Sequence, residues 1–367
     1  GFYVLDDLSP LRHMANETAL AAEATLLPVK KALLFVPANP LGGRGKAEQG
    51  GRYWVGENPP VGVTFTYWLR DGYKSMREVR RAKEKDIQKA GGDTFYPAWD
   101  SVRAEAREEA PTILFTVSDA AGNVVRRMTA PAGKGFHRVT WDFRRPDPAP
   151  ASLEPPRRGD FDDAAGGPMV APATYSVQMA KRVRGEVTAL GPPQTFVVEA
   201  LNNATLPAAD RAALAAFQDR AAALARQIAG TQRLLADAQA QAQLLKKALD
   251  DTPSPDAMAL RGQASSAIDR LRDIGIRLNG DTEIRRHEEP TPPSIADRVE
   301  RMVGGSFVST SAPTVTQQRA YEIGSGSLTR LLAELRGVLD ALRQVSEQAE
   351  ASGAPWTPGR IPEWKQP

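Results

Sequence analysis

Cysteine is absent from the 367-residue sequence, which excludes disulfides, thiol catalysis and thiolate metal sites. No run of about 18 apolar residues occurs, so no membrane-spanning helix is expected. The formal net charge of +3 is small for this length, and the sequence lacks the basic excess of a nucleic-acid-binding surface. Histidine is scarce: His13, His137 and His287 lie in separate segments and in no metal-binding spacing.

Composition and periodicity divide the chain into four segments. Residues 1–60 are expected to be the end of a strand followed by an extended linker. A β-rich domain is predicted at 61–203, with a charged helical insertion at about 74–109. A helical bundle is predicted at 204–352, and a Pro-rich tail at 353–367.

The β-rich segment shows the alternation of half-buried strands. In GVTFTYWLR (62–70), every second residue is apolar, and GFHRVTWDFRR (135–145) alternates in the same way. TILFTVSD and VVRRM flank a turn in which Asp119, Gly122 and Asn123 suit positive φ. Several short strands without regular βα alternation predict an antiparallel Ig-like β-sandwich, and the whole chain is predicted to be a multidomain α+β protein.

The helical segment carries the strongest periodicity in the sequence. Apolar residues recur at alternating spacings of three and four, which is the pattern of a heptad seam. The first seam comprises Leu214, Phe217, Ala221, Leu224, Ile228, Thr231, Leu235, Ala238, Ala242, Leu245 and Leu249. Further seams comprise Leu260, Ala264, Ala267, Leu271, Ile274 and Leu278, then Ile295, Val299 and Met302, and finally Leu328, Leu331, Leu335, Val338, Leu342, Val345 and Ala349. Seams joined by breakers predict an elongated antiparallel bundle, whose seams either satisfy one another or mediate self-association.

No catalytic, cofactor-binding or metal-binding residue is predicted, and no cofactor is expected. LGGRGKA (41–47) lacks the first glycine and the final Ser or Thr of a phosphate-binding loop. The acidic loop with Asp160, Asp162 and Asp163 lacks the later bidentate Glu of a calcium loop, so a solvated turn is favoured. No GxSxG motif is present, and a pair of hydrolytic carboxylates cannot be chosen without a folded cleft.

Three aromatic residues are the only predicted binding residues. Tyr53, Trp54 and Trp68 are candidates for a sugar-stacking surface. Packing within the protein is the competing interpretation, because aromatic residues in β proteins usually fill cores.

Several segments together suggest a family. GFYVLDDLSPLR resembles the last blade strand and exit of large bacterial propeller proteins with sortilin-type or neuraminidase-type (BNR) repeats, often described as glycosyl-hydrolase-like. NPPVGVTFTYWLRD, ILFTVSDAAGNVVRRMTAPAGKGFHRVTWDFRRP and GPMVAPATYSVQMAKR are similar to the Ig-like module that follows the propeller in that family. The helical segment also matches the family's C-terminal layout.

The resemblance implies that the chain is the C-terminal part of a longer exported protein, located in the periplasm, at the outer membrane or outside the cell. It implies that any active site belongs to the propeller, and no catalytic residue can be carried over onto this chain. The chain would then be a non-catalytic accessory region that packs on the propeller and docks a partner, or associates with itself, through the bundle. The alternative is a carbohydrate-binding module that serves a hydrolase-like propeller and binds a polysaccharide.

Overall fold

The computed structural model describes residues 7–14, 20–37, 58–154 and 166–361. The chain forms two compact units. The first, which we call the β unit, consists chiefly of Gly1–Pro146 and Met169–Thr205. The second, the helical unit, consists chiefly of Leu206–Pro367. The segments Phe2–Leu5, LGGRGKA and Asp160–Asp163 lie outside the described residues, so the predictions made for them stay predictions.

The β unit contains short strands and three helices among its described residues. The strands are β1 (Ala24–Leu26), β2 (Ala32–Leu34), β3 (Val63–Leu69), β4 (Thr112–Ser118), β5 (Val124–Ala130), β6 (Gly135–Trp141), β7 (Ala173–Val183), β8 (Glu186–Ala189) and β9 (Gln194–Ala200). The helices are α1 (Ser9–Met14), α2 (Met76–Lys89) and α3 (Trp99–Arg107).

The described strands form two sheets. One has the order β1-β3-β6 and is antiparallel. The other has the order β2-β9-β7-β4-β5, with β8 beside β7, and it is mixed because β2 runs parallel to β9. The architecture is α+β, with a curled half-barrel to which the mixed sheet belongs.

The predicted antiparallel Ig-like sandwich is therefore wrong. Residues 24–34, which the sequence places in a linker, supply one edge strand to each sheet. Ala32 of β2 lies opposite Val198 of β9, and this distant parallel pair makes the second sheet mixed. Alternation within a strand predicts which face is buried, but it carries no information about a partner that far along the chain.

Aromatic side chains fill the core of the β unit. The Phe65 ring lies 5.7 Å from that of Phe115 and 5.6 Å from that of Phe196, measured between ring centroids. Trp141 packs edge-on against Tyr175 at 5.5 Å. The Tyr175 hydroxyl donates a hydrogen bond to the Ala171 carbonyl, and burial raises the pKa of Tyr175 to about 12. These aromatic contacts join residues of β3, β4, β6, β7 and β9 into one core.

The helical unit is built on two long helices. Its elements are α4 (Arg211–Asp250), α5 (Ala257–Asn279), α6 (Thr282–Arg286), α7 (Ile295–Phe307) and α8 (Val315–Ala351). Every residue of the predicted seams is buried, which confirms the helical periodicity. The 40 residues of α4 span about 60 Å at the usual rise per residue.

The three long helices alternate in direction along the chain. α4 and α5 are antiparallel, because Asp250 pairs with Arg261 while Gln232 donates a hydrogen bond to Asn279 at the end of α5. α4 and α8 run in the same direction, since Phe217 packs on Tyr321 near the start of both helices. α8 is therefore antiparallel to α5, and the short helices α6 and α7 lie between α5 and α8 in sequence. Among the described residues, no helix is long and apolar enough to cross a bilayer.

Candidate functional site

A helical insertion between β3 and β4 forms a little-buried part of the β unit. It consists of α2 and α3, and neither helix has a buried residue. Ser75 begins α2 with a capping box, in which its hydroxyl accepts from the Glu78 amide and Glu78 accepts from the Ser75 amide. α2 ends before Gly91, whose φ of 77° lies in the left-handed region that favours glycine.

An arginine holds the two helices of the insertion together. Arg80 donates two parallel hydrogen bonds to Glu105 of α3, at 2.6 and 2.8 Å, and a third to Glu84 at 2.7 Å. These hydrogen bonds lower the pKa of Glu105, and the charges of Arg77 and Arg81 lower it further. Because the Arg80 side chain is only 27% exposed, this pairing is better shielded than an ordinary surface ion pair.

Two carboxylates after α3 hold the base of the insertion, Glu108 by binding the start of α2 and Glu109 by binding β7. The side chain of Glu108 is 2% exposed, and its Oε2 accepts a hydrogen bond from the Met76 amide at 2.6 Å. Glu109 pairs with Arg182 of β7 at 3.2 Å. The base of the insertion is thus fixed by polar contacts at the start of α2 and after α3.

Three aromatic side chains project at the far end of the insertion. We call Phe95, Tyr96 and Trp99 the aromatic tip. They are 89%, 72% and 66% exposed, respectively. The rings of Tyr96 and Trp99 touch, with centroids 5.3 Å apart and planes inclined by 53°. Single exposed apolar residues are normal on protein surfaces, whereas a cluster of large aromatic residues marks a binding surface.

A shallow depression of about 480 Å³ adjoins the aromatic tip. Its walls are Arg80, Glu84, Thr94, Phe95, Tyr96, Pro97 and Val102. The Arg80 guanidinium, which joins the two helices, and the Glu84 carboxylate that accepts a hydrogen bond from it therefore also lie beside the exposed rings. This arrangement can bind a partner by apolar contact and by charge.

The predicted sugar-stacking residues are only partly described. Tyr53 and Trp54 lie outside the described residues. Trp68 is half-buried in β3, its indole N–H donates a hydrogen bond to the Leu20 carbonyl at 3.1 Å, and its ring packs on Phe136 at 4.6 Å. The structure does not bring Trp68 into the aromatic tip, and its role in stacking stays a prediction.

Metal and acid–base chemistry find little support in the described ranges. Within them, no group of three or more His, Asp or Glu side chains is arranged to hold a metal ion. His137 lies in β6, the edge strand of the three-stranded sheet, with Nε2 2.8 Å from the Gly133 carbonyl and its ring stacked on Tyr67. His13 and His287 are exposed residues of α1 and of the end of α6.

Sequence reasoning missed the aromatic tip, because the insertion was judged by its charge alone. The signal was present in FYPAW (95–99), where three aromatic residues interrupt a polar segment. The flanking helices offer no apolar stripe long enough to bury them, so the aromatic residues had to be exposed.

The comparisons with known proteins identify no family. No family model matches the chain, and no curated protein does. A crystal structure of dimeric latent PorU from Porphyromonas gingivalis is similar at 11% identity and a TM-score of 0.21, over 39% of this chain and 9% of that one. The structure named pT26-6p is similar at 12% identity and a TM-score of 0.13, over 79% of this chain and 48% of that one. Likenesses this weak carry no argument about function.

Proposed function

We propose that the chain is a non-catalytic interaction region of a larger exported β-propeller protein, and that it docks a protein partner through the aromatic tip. The observation that carries this proposal is the joint exposure of Phe95, Tyr96 and Trp99. Tryptophan and tyrosine dominate the binding energy of protein interfaces, because truncating them removes large buried contacts. The propeller itself is implied by the sequence resemblance.

Charge favours a partner with an apolar pocket and an acidic rim. Basic residues outnumber acidic ones along α2. Arg77, Arg81 and Lys83 form no ion pair with any described residue. Since complementary charge steers association and fixes orientation, an acidic rim would meet these side chains while the rings enter the pocket.

The second candidate function is a carbohydrate-binding module that supports a hydrolase-like propeller. The observation in its favour is that Tyr96 and Trp99 are exposed beside each other. Against it, their planes are inclined by 53°, so they present no common flat face for a sugar ring. The protein partner is therefore the proposal that the geometry supports better.

Photo-crosslinking in the producing cell tests this proposal. A photoreactive phenylalanine replaces Tyr96 in one version of the full-length protein and Val187, an exposed residue of β8, in another. We expect one defined protein adduct at position 96 that is absent at position 187. The adducted protein is then purified, and its affinity for the unmodified chain is measured.

The purified pair gives a quantitative outcome. Trp99→Ala should weaken binding by at least about 30-fold, the factor that corresponds to a hot-spot truncation. The control Val187→Ala should leave the affinity unchanged. Equal affinities for the two variants would overturn docking through the tip. Retardation of the chain by a polysaccharide in affinity electrophoresis, lost in Trp99→Ala, would establish the carbohydrate function instead.

A further inference from the structure

A pocket of about 570 Å³ lies in the helical unit. Its walls come from the end of α5, from α6, from the start of α7 and from α8. Pockets that hold small ligands in proteins have volumes of roughly 300–1,000 Å³. The size of this pocket is therefore that of a small-molecule site.

The floor of the pocket is aliphatic. Ile276 of α5, Ile284 of α6 and Ile323 of α8 line it, and they are 38%, 43% and 49% exposed. Ile295 and Leu331 line it as well and are buried. Isoleucines from three different helices thus expose part of their side chains to one cavity. A flexible alkyl chain in this cavity would bury that apolar surface, which would favour binding.

The charged groups of the pocket are mainly cationic. Arg277, Arg298 and Arg330 line it, and Arg277 is paired with Glu334 at 2.7 Å. Arg298, which is half-buried, and Arg330 form no ion pair with any described residue. Arg330 donates only one weak hydrogen bond, to the Ser327 hydroxyl at 3.3 Å.

Asp281, the single acidic residue among the described residues of the lining, already accepts hydrogen bonds from backbone amides. Asp281 begins α6, and its Oδ1 accepts hydrogen bonds from the amides of Glu283 and Ile284 at 2.9 and 3.2 Å. It therefore acts as a helix cap, and among the described residues it forms no ion pair with Arg298 or Arg330. An aliphatic floor beneath two unpaired guanidinium groups has the chemistry of an amphiphilic anion site, because guanidinium forks bind carboxylates with two parallel hydrogen bonds.

We propose that this pocket binds a medium-chain alkyl carboxylate, with the carboxylate between Arg298 and Arg330 and the alkyl chain on Ile276, Ile284 and Ile323. Because the two arginines favour a negative charge, a neutral alkane or alcohol should bind less well. Because the floor is aliphatic, a small hydrophilic anion such as inorganic phosphate should also bind less well. The site is independent of the aromatic tip.

Isothermal titration with octanoate and decanoate below their micellar concentrations tests the proposal on the full chain. Each added methylene should tighten binding by about fourfold while the pocket still has room. Decylamine, which has the same chain and the opposite charge, should not bind. Equal binding of decanoate and decylamine, or no dependence on chain length, would overturn the proposal.

Matched variants locate the site. Arg298→Gln and Arg330→Gln should each weaken decanoate binding by about tenfold or more, the factor for a lost charge-assisted hydrogen bond. Arg336→Gln, at an exposed position of α8 outside the lining, should leave the affinity unchanged. Ser327→Phe, which fills the pocket from its wall, should abolish binding while the circular dichroism of the helices is preserved. Light scattering on the same samples tests whether a second copy of the chain occupies the pocket. A dimer that Ser327→Phe dissociates would show that it does, and would overturn the proposal.

Discussion

The β unit and the helical unit bury their apolar residues in two different ways. The core of the β unit is centred on large aromatic side chains from strands far apart in sequence, such as Phe65, Phe115 and Phe196, with aliphatic residues around them. The core of the helical unit consists chiefly of Ala, Leu, Ile and Val residues that recur at short intervals along each helix. Burial is therefore encoded locally in the helical unit and by distant contacts in the β unit. The two units should respond differently to truncation of a core side chain.

The largest loss of stability is expected for Trp141→Ala in the β unit. Trp141 is fully buried, contacts Phe143, Tyr175 and Phe196, and donates its indole N–H to the Arg144 carbonyl. The truncation should lower the free energy of unfolding of this unit by about 3–5 kcal/mol. Chemical denaturation with hydrogen exchange of the strand amides measures it. Val187→Ala, at an exposed position, is the control, and an equal effect there would contradict the aromatic core.

Leu271→Ala should cost the helical unit about 2–5 kcal/mol, because Leu271 is fully buried in the α5 seam. Helix circular dichroism during denaturation measures the loss. Leu234→Ala on α4 is a matched control, since Leu234 is 45% exposed and its truncation should cost only about 0.5 kcal/mol. Similar losses for the two leucines would show that burial does not follow the heptad pattern.

Removal of a helix cap should cost less than truncation of a core residue. Asp210 begins α4, and its carboxylate accepts a hydrogen bond from the Ala213 amide at 2.9 Å. Asp210→Ala should lower the free energy of unfolding of the helical unit by about 1 kcal/mol. Asp237→Ala serves as control, because Asp237 makes only an exposed ion pair with Arg233 and its loss should cost less than about 0.5 kcal/mol. A larger effect at Asp237 than at Asp210 would refute the cap.

The smallest expected effect is a pH dependence in the β unit. Hydrogen bonds from Lys181 and Tyr73 lower the pKa of Glu23 below its ordinary value of 4.5. Because the folded state has the lower pKa, Glu23 contributes its stabilisation fully above pH 4.5, and this is lost as the pH falls through the folded pKa. Denaturation of the protein and of Glu23→Gln should therefore differ at pH 7 and converge in acid. A gap that stays constant into strong acid would contradict this linkage.

The helices could be predicted from the sequence because their signals are local. Leu235 and Leu271 sit in seams with regular spacing. The direction of α8 follows from the alternation of the three long helices, whereas nothing in the sequence predicts the path of the connection through α6 and α7. The aromatic residues of FYPAW were visible in the sequence, but their exposure follows from the short, unburied helices on either side.

The sheet topology could not be predicted for a different physical reason. β1 and β2 are three residues each, too short for alternation to distinguish them from an extended linker. Their pairing with β3 and β9 depends on contacts that exist only in the completed sheets. The pocket that Ile284 lines could not be predicted either, because its residues come from four helices and nothing in the spacing of its three arginines relates them.

The parallel pairing of β2 with β9 has a consequence for biosynthesis. Ala32 leaves the ribosome long before its partner Val198, by roughly 10–30 seconds at ordinary translation rates. During that interval β2 has no neighbour, and an unpaired strand edge is a template for association with other chains. The helices α4 and α5, by contrast, follow each other directly in the chain. We therefore expect the nascent chain to be most prone to association with other chains before β9 has been made.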